Sequence, residues 1–417
     1  MAERLGVGII GSGFMTRFHI QSWRAVRHAD ITAICSRNAQ TARDAADMCR
    51  RLRVGEPRIY QDVREMVRDP RVDAVWVVAP NYTRVETVER ICEEVLSKRA
   101  ALRGICIEKP LARNVSEAKQ VVKMVEETGL LHGYLENQVF SPLVTRGREI
   151  LWRRGAAIAG PPYLARCSEE HSGPHRAWFW SGQLQGGGAL SDMMCHSVKS
   201  SRLFLTKPGA SRDYLKPLAV TGRIASLKWT RPEYIRQLKE TMGQEIDYSR
   251  HPVEDYAYGE IVYETAEGQT VIAQTSTSWS YVGPGLRLSF EVLGPEYSLM
   301  SNSLDPESQV FFSRRVHGPE GEDLVEKQAA EQGLLPYLWD EAGVYGYTDE
   351  NRHMVESFLD GVQPIEDLYD GLRVVELVMA CYMSAELNKT LAFPVAGIDD
   401  FIPQVAQGTW DPRSLIP

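Results

Sequence analysis

A lysine, an aspartate and a histidine carry the chemistry this sequence makes available. Lys109 stands between Glu108 and Pro110 at the end of the apolar run Gly104-Ile105-Cys106-Ile107. A cation just past a strand's carboxyl end sits at the crevice where open α/β sheets bind ligands; the same three residues also fit a plain loop salt bridge. Asp192 and His196 lie at i and i+4 in the stretch Gly186-Gly187-Gly188-Ala189-Leu190-Ser191-Asp192-Met193-Met194-Cys195-His196. On a helix that spacing puts both side chains on one face. Such a pair suits proton transfer from a carbinol, with the imidazole as acceptor and the carboxylate orienting its neighbour or the substrate. A core histidine in a helix's first turns is the purely structural alternative.

Positioning these groups requires a sheet, and the first third of the chain reads as one. Leu5-Gly6-Val7-Gly8-Ile9-Ile10 is strand-like and runs into Gly11-Ser12-Gly13-Phe14-Met15-Thr16, followed by a helical stretch from Arg17 to Val26 and a second strand at Asp30-Ile31-Thr32-Ala33-Ile34. Gly11 permits the tight turn, and Gly13 lets a pyrophosphate approach the backbone where helix amides favour an anion. Gly11, Gly13, Phe14 and Met15 are therefore candidate dinucleotide contacts, although Thr16 stands where a third small residue is expected. Cys35-Ser36-Arg37-Asn38 ends the second strand without the acid that NAD enzymes use on the ribose. Ser36 and Arg37 suit a ribose phosphate, which favours NADP, while an arginine here also stacks on adenine in NAD enzymes. Strand and helix go on alternating through Val72–Val78, Ala79-Pro80-Asn81, a helix over 85–96, Gly104–Ile107 and a helix from Ser116 to Thr128 closed by Gly129, the pattern of a doubly wound sheet.

The glycine loop followed by His19, then Pro80-Asn81, then Glu108-Lys109-Pro110-Leu111-Ala112 resembles the glucose-fructose oxidoreductase/inositol dehydrogenase/MocA (Gfo/Idh/MocA) family, and the similarity extends over most of the chain. The resemblance implies that Lys109 lies beside the nicotinamide and the reacting sugar hydroxyl, that Pro80, Asn81 and Glu108 serve the cofactor side, and that Asp192 and His196 match the family's motif. Three positions depart from it. Arg84 stands where members commonly carry histidine, Ser97–Arg103 is longer than usual, and Lys199 replaces an acid often found three residues after the histidine.

Beyond Leu131–Leu135, the expected last strand of the nucleotide domain, Glu136, Asn137 and Gln138 suit either sugar hydroxyls or the start of a helix. Asn137 is kept as a substrate-binding candidate. Tyr163–Glu170 alternates as a strand and opens into a loop containing His171, His175, Arg176, Trp178, Phe179 and Trp180. Rings stack on a sugar face while His and Arg grip hydroxyl or anionic groups, so His171, His175, Arg176 and Trp180 are substrate candidates, with Phe179 assigned to the core. Arg231–Pro252 reads as a charged excursion with little regular structure. Alternating strands at 257–265, 269–280, 286–293 and 309–317 predict a largely antiparallel sheet, and 349–359 and 369–386 have helical periodicity. The fold expected is α/β: an N-terminal Rossmann dinucleotide-binding domain over 1–137 and a C-terminal α+β domain over 138–417 with a large, mostly antiparallel sheet used for substrate binding and homo-oligomer formation.

Composition narrows the partners. Of 417 residues, 43% are hydrophobic and 24% charged, with a net charge of −8, which argues against nucleic acid, whose phosphates demand a concentrated basic face. The seven cysteines form no C-x-x-C pair, so neither a metal site nor a disulfide framework is expected. A leader-like apolar segment and a membrane-length apolar run are both absent, predicting a cytoplasmic protein. The function expected is nicotinamide-dependent oxidation or reduction of a sugar, glycoside or cyclitol secondary alcohol, using NAD or NADP. Two alternatives stay open. One is redox-neutral glycoside hydrolysis through transient oxidation, elimination, water addition and re-reduction, with Arg84, Arg176 and Lys199 suggesting a carboxylated or sulfonated glycoside. The other is a non-catalytic sugar sensor.

Overall fold

The computed structural model describes residues 4–243, 248–305, 309–315, 324–328 and 330–413. They divide into two compact units, one of Met1–Ser141 with Tyr345–Val375 and one of Pro142–Val344 with Glu376–Pro417.

The first unit is built on a six-stranded sheet, β1 (Leu5–Ile10), β2 (Ala29–Cys35), β3 (Arg58–Tyr60), β4 (Ala74–Val77), β5 (Gly104–Glu108) and β6 (Leu131–Leu135), in the order β3-β2-β1-β4-β5-β6. Every neighbouring pair is parallel. Helices cover a parallel sheet on both faces, and accordingly every residue of β1, β4 and β5 is buried. The first helix runs Phe14–Ser22 and continues as a 3-10 turn, Trp23–Ala25, so it starts three residues before the expected Arg17. Helical geometry begins as soon as Gly13 has served as the cap. Asn114 accepts from the Glu117 amide to open the helix Val115–Thr128, and Gly129 ends it at φ +71°, the left-handed cap that glycine favours. The helix Tyr347–Asp360 belongs to this unit, with Phe358 against Gly104 and Met354 against Gly133.

The second unit holds a seven-stranded mixed sheet. Its strands are β7 (Leu164–Glu170), β8 (Leu215–Ala225), β9 (Tyr256–Thr265), β10 (Thr270–Ser278), β11 (Arg287–Gly294), β12 (Tyr297–Asn302) and, beyond the separate hairpin β13 (Gln309–Phe312) and β14 (Gly333–Pro336), β15 (Leu391–Ala392). The order is β12-β11-β7-β10-β9-β8-β15, with only β7 and β10 parallel. Burial alternates strictly along β9 and β11, as expected when one face is packed and the other is open. The helix Ala189–Leu205 lies on the packed face and touches β7, β10 and β9.

One expectation is corrected. Within the supposed irregular excursion, Pro232–Met242 forms an α-helix, with Pro232 in its first turn and Leu238 buried. Proline's fixed φ suits that first turn, and Leu238 anchors an apolar stripe of Tyr234, Ile235, Leu238 and Met242 at helical spacing among the charged residues. Residues 244–247 and His317, also covered by sequence expectations, lie outside the described residues.

Candidate functional site

Because β1, β2, β4, β5 and β6 all run the same way, the segments after them share one edge of the sheet. These are Gly11, Ser36-Arg37, Ala79-Pro80-Asn81, Lys109 and Glu136-Asn137. The first loop fits a dinucleotide. Gly11 has φ +116°, and a Cβ there would lie 2.8 Å from the Val78 carbonyl oxygen. At Gly13 a Cβ would meet nothing within 4 Å, and this residue caps the helix Phe14–Ser22 without a side chain of its own. Open space in front of helix amides is what a pyrophosphate needs. Ser12 Oγ donates to Ser36 Oγ at 2.7 Å and lies 2.6 Å from Thr41 Oγ1, tying this loop to the end of β2, where Arg37 is exposed and reaches the Tyr82 hydroxyl at 3.4 Å. Phe14 and Met15 are half-buried beside the cap. Replacing Gly11 by alanine forces a left-handed φ and a backbone clash together. We expect it to cost about 1–3 kcal/mol and to weaken dinucleotide binding measured by calorimetry; wild-type affinity in G11A would show that the turn does not shape the site.

Lys109 is half-buried beside a buried network. Its amide donates to Glu108 Oε2 at 2.9 Å, and His19 Nε2 donates to Glu108 Oε1 at 2.9 Å. His19 Nδ1 accepts from Asn351 Nδ2 at 3.0 Å, while Asn351 Oδ1 accepts from Trp76 Nε1 at 2.8 Å. Burial pushes the Glu108 carboxyl up, but His19, Lys109 and Arg84 outweigh it and hold the group below its ordinary value. Glu350 is the opposite case. It is fully buried, neither oxygen has a hydrogen-bond partner among the described residues, and burial together with the charges of Glu108, Glu136 and Glu366 pushes it well above the ordinary carboxyl value. Of the remaining candidates in this unit, Asn81 is buried, Pro80 is half-buried, and Asn137 is buried with its amide donating to the Tyr345 carbonyl at 2.7 Å.

In the second unit the helix Ala189–Leu205 carries Asp192 and His196, both buried. Its N-terminus is held from outside: Glu254 Oε1 accepts from the amides of Gly188 and Leu190, each at 2.9 Å, and from the Tyr382 hydroxyl at 2.6 Å. The Tyr382 oxygen in turn accepts from the amides of Gly188 and Ser191. Trp279 Nε1 donates to Asp192 Oδ2 at 3.3 Å, and His196 Nε2 lies 3.8 Å from the buried Glu169 carboxylate, within ion-pair range.

Glu254 makes this anchor sensitive to pH. Burial raises its carboxyl from 4.5 to about 7, against the lowering effect of Tyr382 and the helix amides. A raised carboxylate binds more protons folded than unfolded between those values, so its stabilising contribution is greatest below 4.5 and is lost as pH rises to 7, by about 3 kcal/mol. We expect Glu254→Gln to flatten the fall in urea-unfolding midpoint across that window; equal slopes in both proteins would refute the assignment.

The aromatic loop divides. His175 and Arg176 are exposed, whereas His171 and Trp180 are buried. Trp180 packs edge-on against Trp229, Trp279 and Tyr248, and its indole donates to the Pro174 carbonyl. His171 Nδ1 accepts from the Gly173 amide at 2.9 Å, which leaves the proton of a neutral ring on Nε2. Phe179, expected in the core, is half-buried and stacks on Trp178 with centroids 3.8 Å apart.

Glu169, Glu254, Trp279 and Asn351 were not found from the sequence. Only Glu169 carried a local signal, since the alternation Ala165, Cys167, Glu169 puts it on the inward face of β7.

Comparison with known proteins agrees with this architecture. Residues 5–134 match the profile described as "Oxidoreductase family, NAD-binding Rossmann fold". Among solved structures, GenD2 from gentamicin A biosynthesis in complex with NAD is 26% identical, with a TM-score of 0.75 over 95% of this chain and 98% of that one. Levoglucosan dehydrogenase of Pseudarthrobacter phenanthrenivorans is 27% identical over 213 residues, 48% of this chain and 51% of the relative. D-apiose dehydrogenase of Paraburkholderia graminis is 27% identical over 179 residues, 39% and 44% respectively. The chain thus spans about half the length of the curated relatives it matches. No helix among the described residues is long and apolar enough to cross a membrane. Over residues 5–134, the chain thus matches the Gfo/Idh/MocA model of oxidoreductases with an NAD-binding Rossmann fold.

Proposed function

We propose that the chain transfers a hydride between a nicotinamide dinucleotide and a secondary-alcohol carbon of a sugar, glycoside or cyclitol. The observation that carries this reading is the buried Asp192 and His196 pair, one turn apart on a helix anchored at its N-terminus, in a chain whose other unit is an NAD-binding domain. Relatives named levoglucosan, D-apiose, D-xylose and myo-inositol dehydrogenase support a polyol substrate. When bound, the nicotinamide supplies the hydride acceptor. Lys109 donates to the reacting oxygen and stabilises its developing charge, His196 takes the hydroxyl proton, and Asp192, held by the Trp279 indole, orients the substrate. His175 and Arg176 are the exposed groups of the loop and the ones we assign to outer substrate contacts.

Ser36 and Arg37 support NADP. If they hold a ribose phosphate, Arg37→Ala should lower NADP affinity about 10–100-fold, the loss of a charge-assisted hydrogen bond, and leave NAD affinity unchanged; equal effects on both would favour adenine stacking. Redox-neutral glycoside cleavage remains the second reading, because elimination requires a further base and Glu169 lies beside His196. Its anionic-substrate version loses one support, since Arg84 is buried and donates to backbone carbonyls. One experiment separates the readings: incubate purified protein with aryl glycosides and no added cofactor, following aglycone and nicotinamide absorbance together. Many turnovers of release without net reduction would refute the dehydrogenase. Reduction with an intact glycosidic bond would refute the hydrolase, and nucleotide retention without hydride transfer to any polyol would leave a sugar sensor.

The seven cysteines are all buried and none forms a disulfide among the described residues, which supports a reducing compartment such as the cytoplasm. We assign self-association to the open face of the seven-stranded sheet, where Arg166 and Met300 stand exposed.

A further inference from the structure

Arg84 opens the helix Arg84–Leu96 and is only 2% exposed. Both features work against stability: burial strips a guanidinium of its hydration, and a cation in a helix's first turn opposes the helix dipole. Its side chain is nevertheless committed there. Nη2 donates to the Ala79 carbonyl at 3.1 Å, and Nη1 donates to the Pro110 carbonyl. Ala79 lies in the loop that follows β4, and Pro110 directly follows Lys109 after β5. These strands are neighbours, with Val77 opposite Ile107 as the last paired rung. The guanidinium therefore bridges the two loops just beyond the end of the ladder.

The backbone around Lys109 is thus held on both sides. On the amino side, the Lys109 amide donates to Glu108, itself locked by His19. On the carboxyl side, Arg84 holds the Pro110 carbonyl and joins it to the loop carrying Pro80 and Asn81. We propose that Arg84 is a positioning residue that sets Lys109 against the cofactor-side loop after β4. This rests on reading Lys109 as the group that contacts the reacting oxygen. The chemistry explains why arginine suits this position, where histidine is common in the family. A neutral imidazole has a single N–H, whereas the guanidinium fork has five donors and reaches two carbonyls at once. The fork also keeps its charge at every working pH, so the tie does not loosen by titration. Its charge further helps to hold Glu108 ionised, which keeps the carboxylate an acceptor for the Lys109 amide.

The test uses the full chain as Arg84→Met and Arg84→Lys, the second retaining the charge while losing the fork. Two readouts are taken: hydrogen–deuterium exchange of the peptide spanning 108–113, and steady-state oxidation of a polyol at saturating nucleotide. In Arg84→Met, exchange of that peptide should quicken at least about tenfold while peptides of the second unit are unchanged. Its kcat should fall about a hundredfold, the scale of an ångström-level misplacement, with the KM for polyol within about threefold. Arg84→Lys should fall between the two proteins on both readouts, and it decides the matter alone if the methionine variant does not fold. Unchanged exchange in both variants overturns the proposal, as does faster exchange with kcat intact. If the wild-type chain oxidises no polyol, the functional reading fails, while the exchange result still decides whether Arg84 holds the Lys109 loop.

Discussion

Replacing Lys109 by methionine should reduce hydride transfer about 10²–10³-fold, the cost of removing one preorganised donor from a developing oxyanion, while dinucleotide affinity stays close to wild type. The separation follows from the geometry. Methionine keeps an unbranched apolar stem, so the half-buried site is not emptied. The surroundings are held by groups other than the lysine ammonium: Glu108 is bound to His19 and to the backbone amide of residue 109, and Arg84 holds the Pro110 carbonyl. The glycine loop after β1, which we assign to the pyrophosphate, makes none of these contacts through the Lys109 side chain. Nucleotide titration by fluorescence and single-turnover reduction of a polyol measure the two quantities separately. Turnover at the wild-type rate would remove Lys109 from the mechanism, and loss of nucleotide binding alone would move it to the cofactor.

The second large effect is expected at His196. Its conversion to glutamine should lower kcat about 10²–10⁴-fold, the usual contribution of a positioned general base. Glutamine retains a polar group of similar reach at a buried position, so hydrogen bonding survives in part, but it accepts no proton. The rest of the helix stays anchored by Glu254 and Tyr382, and Asp192 keeps its bond to the Trp279 indole. The loss should therefore appear in kcat rather than in unfolding midpoint. The H196Q protein should also lose the solvent isotope effect associated with hydroxyl proton transfer. A variant with normal kcat would return His196 to the status of a core histidine, the reading that its burial alone would allow.

Much of this was legible in the chain because the informative residues are close together in it. Gly11 and Gly13 announce a tight turn and a helix start within a few positions, and the buried strand before them is a continuous apolar run. Asp192 and His196 share a helix face by spacing alone. Strict alternation in 257–265 and 286–293 marked strands with one open face, and the observed β9 and β11 follow it. The helix Pro232–Met242 carries a helical stripe, Tyr234, Ile235, Leu238 and Met242, that is interrupted by charged residues and of which only Leu238 is buried, so the stretch reads as charged and irregular. Arg84 and Trp180 were noticed for chemistry that points outward. Arg84 instead bonds backbone carbonyls inside its unit, and Trp180 packs among other rings.

The sequence by itself determined the doubly wound nucleotide domain, the glycine turn after its first strand and the identity of the Lys, Asp and His candidates, since each depends on local turn chemistry and periodicity. Tertiary structure alone decided what holds them. Asn351 is brought to His19, Glu254 and Tyr382 to the helix bearing Asp192, Trp279 to Asp192 itself, and Glu169 to His196. Those partners come from distant parts of the chain, joined by strand order and helix packing. No local pattern encodes such pairings, because their stability comes from burial and from satisfying polar groups that only the assembled core removes from water.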